Sequence, residues 1–279
     1  MSREEALPCR HRGAPPEEVV QLVIDLINGL SMDEEYLYRR GLSKADYELA
    51  LPTAVERLRG STAAKSADRR NFLLSIISHL QNSGAVNSFE KPEYGKDTIY
   101  RLNTNNAGTV AIIQKGCPDG AHSSTAWSVP DWADETYLWW VCPSLRYEPG
   151  EHVAKGVNRL KSKFLSTDGK TLSGVIFQSE LCGTDLRPCP KSRNSITIEG
   201  SVVPPPCVWI LPDKSHDREH NWEGTTERKF PKVLLSVFGI DASQSSVFVG
   251  HVGFSEKGNK SRLKIVSRFG EARTTSFRG

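Results

Sequence analysis

Apolar positions recur at helical spacing in the first third of the chain and fall into short runs after it. Over residues 17–30, Val19, Val20, Leu22, Val23, Leu26, Ile27 and Leu30 form a strongly apolar helix, entered through Pro15-Pro16 and two glutamates. A short helix is expected over 32–40, stopped by Gly41, and a third over 43–59, kinked or divided by Pro52. The clearest stripe follows: Phe72, Leu73, Ile76, Ile77 and Leu80 share one helical face. Arg69, Arg70, Asn71, Ser75, Ser78, His79 and Asn82 occupy the others, and Gly84 is a suitable stop.

Beyond Gly84 the period changes. Residues 86–89 and 98–102 read as a β-hairpin around Pro92-Glu93-Tyr94-Gly95, and Val110, Ala111, Ile112 and Ile113 as a buried strand. Asp134 and Glu135 predict the start of a helix that ends before Cys142-Pro143. Residues 151–164 are amphipathic, with Val153, Val157, Leu160 and Phe164 inward and Lys155, Arg159 and Lys163 four apart on another face. Strands are expected over 172–177, 195–198 and 207–211, the last after the rigid Pro204-Pro205-Pro206. A helix over 229–239 and strands over 247–254 and 262–269 close the chain. This order predicts an α+β fold: a helical region over 1–84, then a mixed β-sheet core flanked by helices over 85–279.

The composition is that of a globular chain: 279 residues, 25% charged and 38% hydrophobic. A net charge of +3 says little, but its distribution says more. From Lys257 onward stand Lys257, Lys260, Arg262, Lys264, Arg268, Arg273 and Arg278 against the single acid Glu271. Such a segment suits phosphates, or a solvated strand edge that resists aggregation. The start of the chain is charged, without the apolar core of a signal peptide, and no apolar run reaches membrane-span length, so a cytosolic protein is expected. The six cysteines are then read as free thiols, although Cys182 and Cys189 share one Gly/Pro loop that a metal could use. Trp127, Trp132, Trp139 and Trp140 crowd one segment and read as core with one exposed rim; stacking on bases is the alternative.

Candidate chemistry gathers where the buried strand turns polar: Gln114, Lys115, Asp119, His122, Ser123 and Ser124 follow within a dozen residues, interrupted by a Pro118-Asp119-Gly120 turn. A strand followed by a plain turn accounts for the same residues. Phosphate-binding, dinucleotide-binding, zinc-protease and serine-hydrolase motifs are absent from the sequence. The order helix, hairpin, strand, helix, strand over 69–178 resembles the core of the PD-(D/E)XK nucleases, including type II restriction endonucleases. On that resemblance Asp97 takes the first acidic position, Gln114 the second, and Lys115 the lysine that orients water or meets developing charge. The lysine follows Gln114 directly rather than two residues on, and Gln114 carries no charge. The resemblance implies Mg²⁺ held by Asp97 and Asp119, cleavage of double-stranded DNA, and a homodimer on a symmetric site. Phosphate contacts are expected from Lys155, Arg159 and Lys163 and from Arg262, Lys264 and Arg268.

A second acid–lysine set, Asp213, Glu227 and Lys229, has the literal pattern, but Glu227-Arg228-Lys229 precedes an expected helix rather than lying on a strand. The competing class is a DNA-binding protein without catalysis. In that reading residues 43–103 form a winged helix ahead of a C-terminal regulatory or oligomerisation domain, with Arg69, Arg70, Asn71, Ser75 and His79 facing the major groove. A small-molecule enzyme walled by the tryptophans is the third.

Overall fold

A computed structural model describes residues 34–39, 41, 43–45, 66–92, 99–116, 127–142, 149–160, 170–179, 194–199, 201–213, 221–222, 226–257, 260–267 and 273–278. The helices are α1 (Glu34–Arg39), α2 (Ser66–Asn82), α3 (Pro149–Arg159) and α4 (Phe230–Ser236). The strands are β1 (Val86–Glu90), β2 (Ile99–Thr104), β3 (Gly108–Gly116), β4 (Glu135–Cys142), β5 (Gly174–Ser179), β6 (Ile196–Ile198), β7 (Ser201–Val203), β8 (Cys207–Ile210), β9 (Asn221–Trp222), β10 (Val249–Lys257), β11 (Lys260–Ser267) and β12 (Arg273–Arg278). The fold is α+β. The helix expected over 17–30 lies outside the described residues, as does most of the one over 43–59.

Ten strands form one mixed sheet in the order β1-β2-β3-β4-β5-β8-β10-β11-β12, with β9 beside β10, while β6 and β7 pair separately. The first three strands are an antiparallel meander. β3, β4 and β5 then run parallel, β8 turns back against β5, and β10 runs parallel to β8 before the closing antiparallel strands.

α2 follows its apolar stripe: Leu73, Ile76, Ile77 and Leu80 are fully buried and join the core of the sheet, so residues on both sides of position 84 share one packed interior. The helix ends as Gly84 predicts. Gly84 has φ 76°, its N–H donates to the Gln81 carbonyl at 2.9 Å, and the Ala85 N–H donates to that of Leu80 at 3.0 Å. That pair of bonds closes the last turn around a left-handed residue that only glycine adopts without strain. The β1–β2 hairpin does not stand free as a wing, because β2 continues the pairing into β3.

The helix expected from Asp134 is a strand. Residues 135–141, Glu-Thr-Tyr-Leu-Trp-Trp-Val, are rich in aromatic and β-branched side chains and are buried throughout. A central parallel strand is covered on both faces, so its apolar run hides the alternation that marks a half-exposed strand. The acids that suggest a first helical turn serve other segments. Asp134 accepts the Thr109 N–H at 2.8 Å and its own N–H donates to the Thr109 carbonyl at 2.8 Å, locking the start of β4 beside β3.

Register sorts the sheet into two faces. On one stand Tyr100, Ile112, Gln114, Tyr137, Trp139, Ile176, Gln178 and Ile210; on the other Ala111, Ile113, Lys115, Leu138, Trp140, Phe177 and Trp209. α4 covers the Tyr137 face, where the Phe230 and Tyr137 rings lie 5.4 Å apart. α3 packs over β5 and β11 on the Trp209 face. Gly174 leaves room for the Tyr137 ring: a Cβ there would come within 2.6 Å of the Trp209 carbonyl oxygen and 3.0 Å of that ring.

Candidate nucleic-acid interface

The carboxyl ends of β3, β4 and β5 lie side by side, the place where parallel strands commonly present their chemistry. Gln114 stands there with 8% of its surface exposed, and its Oε1 accepts the Tyr100 hydroxyl at 3.2 Å. Burial raises the pKa of that hydroxyl, against the opposing charge of Arg70 on α2. Lys115, the next residue, is on the other face, in register with Trp140. The residue that shares its face two positions back is Ile113, fully buried. The expected acid–lysine pairing of Gln114 and Lys115 is thus split by the sheet: Gln114 completes a hydrogen bond on the Tyr137 face and Lys115 stands on the Trp209 face. Asp97 and Asp119 lie outside the described residues. Among the described residues no three His, Cys, Asp or Glu side chains converge as a metal would require.

Two further polar side chains sit on this face. The Gln178 Nε2 donates to the Pro204 carbonyl at 2.5 Å, which orients its Oε1 the other way. That oxygen and the Trp139 Nε1 are buried without a partner.

The second acid–lysine set resolves into local pairs. Asp213 accepts from the Arg228 guanidinium at 2.5 Å and from the Thr226 hydroxyl at 2.8 Å. Partial burial pushes its pKa up, but the Thr226 and Arg228 bonds outweigh that and leave it below its ordinary value. Glu227 pairs with Lys232 on α4, and Lys229 is exposed. Asp213 therefore faces a guanidinium, not a carboxylate, and this set does not form a cation site.

Sequence reasoning did not find Glu135. Its buried carboxylate takes the Lys229 N–H on Oε1 at 2.8 Å, and on Oε2 the Phe230 N–H at 3.1 Å and the Tyr137 hydroxyl at 2.7 Å. No local signal marks the contact with Lys229 and Phe230, which lie more than 90 residues from Glu135. Of the tryptophans, Trp139 and Trp140 are core, Trp127 is half-buried, and Trp132 forms the exposed rim over the Arg101 guanidinium at 4.9 Å.

The cations separate into two groups. Lys155 and Arg159 are exposed on α3, outside the Trp209 face. Arg262 and Lys264 are exposed at alternate positions of β11, whose intervening Leu263 and Ile265 are buried beneath α3. Alternation points Arg262 and Lys264 to the Tyr137 face. The phosphate contacts expected from Lys155 and Arg159 and from Arg262 and Lys264 therefore fall on two surfaces, on opposite sides of the sheet. Lys163 and Arg268 lie outside the described residues. β12 was not expected from the sequence; it brings Arg278 opposite Arg262. The β-branched pair Thr274-Thr275 followed by Phe277 is the signal that could have found it. No described helix is long and apolar enough to cross a membrane. The chain matches no protein-family model, no curated protein and no solved structure.

Proposed function

We propose that this chain binds double-stranded DNA through the open face of β11, and that Gln114 is a core residue rather than part of a catalytic set. The observation that carries the reading is the exposure of Arg262 and Lys264 on the side of the sheet that α3 does not cover. Cations at alternate positions of one strand stand about 6.6 Å apart, in a row that a phosphate backbone can follow. Exposed Val266 continues the row, so the face is open at this end of the sheet.

A second reading keeps the hydrolytic activity. It is favoured by the succession of α2, the β1–β2 hairpin and β3, which follows the first part of the order that resembles the PD-(D/E)XK nucleases, whereas β4 is a strand that this order does not contain. On that reading Mg²⁺ is held by Asp97 and Asp119, Lys115 assists, and two copies act on a symmetric site. The described end of β3 offers such an ion no carboxylate, so DNA binding is the leading reading.

One gel experiment tests both. The protein is incubated with a long duplex at low salt, with and without Mg²⁺. Retardation without cleavage supports the binding reading, and discrete Mg²⁺-dependent fragments establish the endonuclease. A duplex that is neither shifted nor cut removes both.

A further inference from the structure

The closing strands match cation with cation. Lys257 pairs with Lys260 across the β10–β11 hairpin, and Arg262 pairs with Arg278 across β11 and β12. Backbone alternation places these four positions and Lys264 on one face, together with Ser255 and Ser276. Acidic residues and Phe, Tyr and Trp are absent from the described positions of that face on β10, β11 and β12. Residues directly opposite in an antiparallel pair have Cβ atoms about 5 Å apart, and like charges there oppose strand pairing. A sheet does not gain stability from this arrangement. It gains a surface complementary to a polyanion.

Resting on the DNA-binding reading, we infer that this face takes the phosphate backbone of a duplex without reading its sequence, and that occupancy tightens the pairing of β12. Phosphates set between the opposed cations relieve the repulsion that weakens β11–β12 pairing in the free chain. Among the described strands β12 stands at the edge of the sheet, paired only with β11, so its pairing is the most responsive to that relief. Single strands bind through bases stacked on aromatic rings, and the described positions of this face on β10, β11 and β12 hold no Phe, Tyr or Trp. An anionic membrane surface calls for an apolar anchor beside the cations, and Val266 is the only large exposed apolar side chain described there.

The test is amide hydrogen exchange of the full chain, read over residues 273–278 at low salt. The conditions are no addition, each of two duplexes of unrelated sequence, and vesicles of anionic lipid. A gel shift runs in parallel. Both duplexes are expected to bind equally and to slow exchange of β12, while vesicles leave it unchanged. Arg278→Thr, on an edge strand that favours threonine, should slow exchange in the free chain. It should also reduce the slope of log affinity against log salt by about 1. Binding with unaltered β12 exchange overturns the inference and leaves the DNA-binding reading standing, as does binding of only one duplex. Protection by vesicles but not by duplexes overturns it in favour of a membrane partner. Absence of any shift overturns the DNA-binding reading itself.

Discussion

The Tyr100 hydroxyl donates to the Gln114 Oε1 inside the core, and this one bond decides what Gln114 can do. A carboxamide fits the position because it accepts that hydrogen bond without burying a charge. Gln114→Leu should therefore cost about 1–3 kcal/mol by leaving the hydroxyl buried and unpaired. Adding Tyr100→Phe should recover much of the loss, because removing both partners is far less costly than removing one. Urea unfolding of the two single variants and the double variant measures this. Additive losses would show that the bond contributes nothing.

Glu135 and Tyr137 make stability depend on alkaline pH. Burial holds the Tyr137 hydroxyl well above its ordinary pKa, aided by the adjacent Glu135 charge and the bond to it and opposed by Arg228. Tyr100 is raised as well. A raised folded value means that the native state keeps its proton where the unfolded chain has lost it. The contribution is full below the unfolded pKa of about 10 and is lost as pH rises from there toward the folded values. The unfolding free energy should fall above about pH 10, and Tyr137→Phe should flatten that fall. Denaturant titrations from pH 8 to 11, with tyrosinate absorbance, read both effects. An unchanged slope in Tyr137→Phe would assign the fall to other groups.

What was legible in the sequence follows from what is local. The α2 stripe from Phe72 to Leu80 has one wet face, so its period shows, and Gly84 marks its end through its own backbone freedom. β4 has no wet face, so its aromatic run carries no period and Asp134-Glu135 reads as a helical start. Glu135 does cap a helix, but that helix is α4, and no spacing within the chain reveals it. The parity of Gln114 and Lys115 was visible in principle, since neighbours on a strand face opposite ways. The division of the cations was not, because it depends on which face α3 covers.

Asp213 and Arg228 form a structural pair, and their removal should say so. Asp213 is largely exposed and its pKa is lowered, with partial burial outweighed by the bonds from Thr226 and Arg228. The stabilisation is present above the unfolded carboxyl value of about 3.9 and is lost as pH falls through the folded one. Solvent screening limits its size, so Asp213→Asn should cost no more than about 1 kcal/mol near neutral pH. DNA retardation and any Mg²⁺-dependent cleavage should be unaffected. Loss of cleavage with stability retained would reinstate Asp213 as a site residue.

Opposite placement of the two cation groups gives the sharpest contrast. Lys264→Glu replaces attraction by repulsion on the proposed DNA face, so binding should weaken equally for unrelated duplexes. The salt slope should fall by about 1 to 2 as one phosphate contact is lost and its neighbours are disfavoured. Lys155→Glu makes the same change of charge on α3, across the sheet from that face, where only the long-range field reaches the duplex. Its effect should be small at low salt and vanish near 0.15 M, where the screening length is about 8 Å. Both side chains are exposed, so both variants should fold, and the change in net charge is identical. Any difference between them therefore reports position and not total charge. Equal losses at 0.15 M salt would mean that the duplex contacts α3 as well, and a larger loss for Lys155→Glu would move the interface to the other side of the sheet.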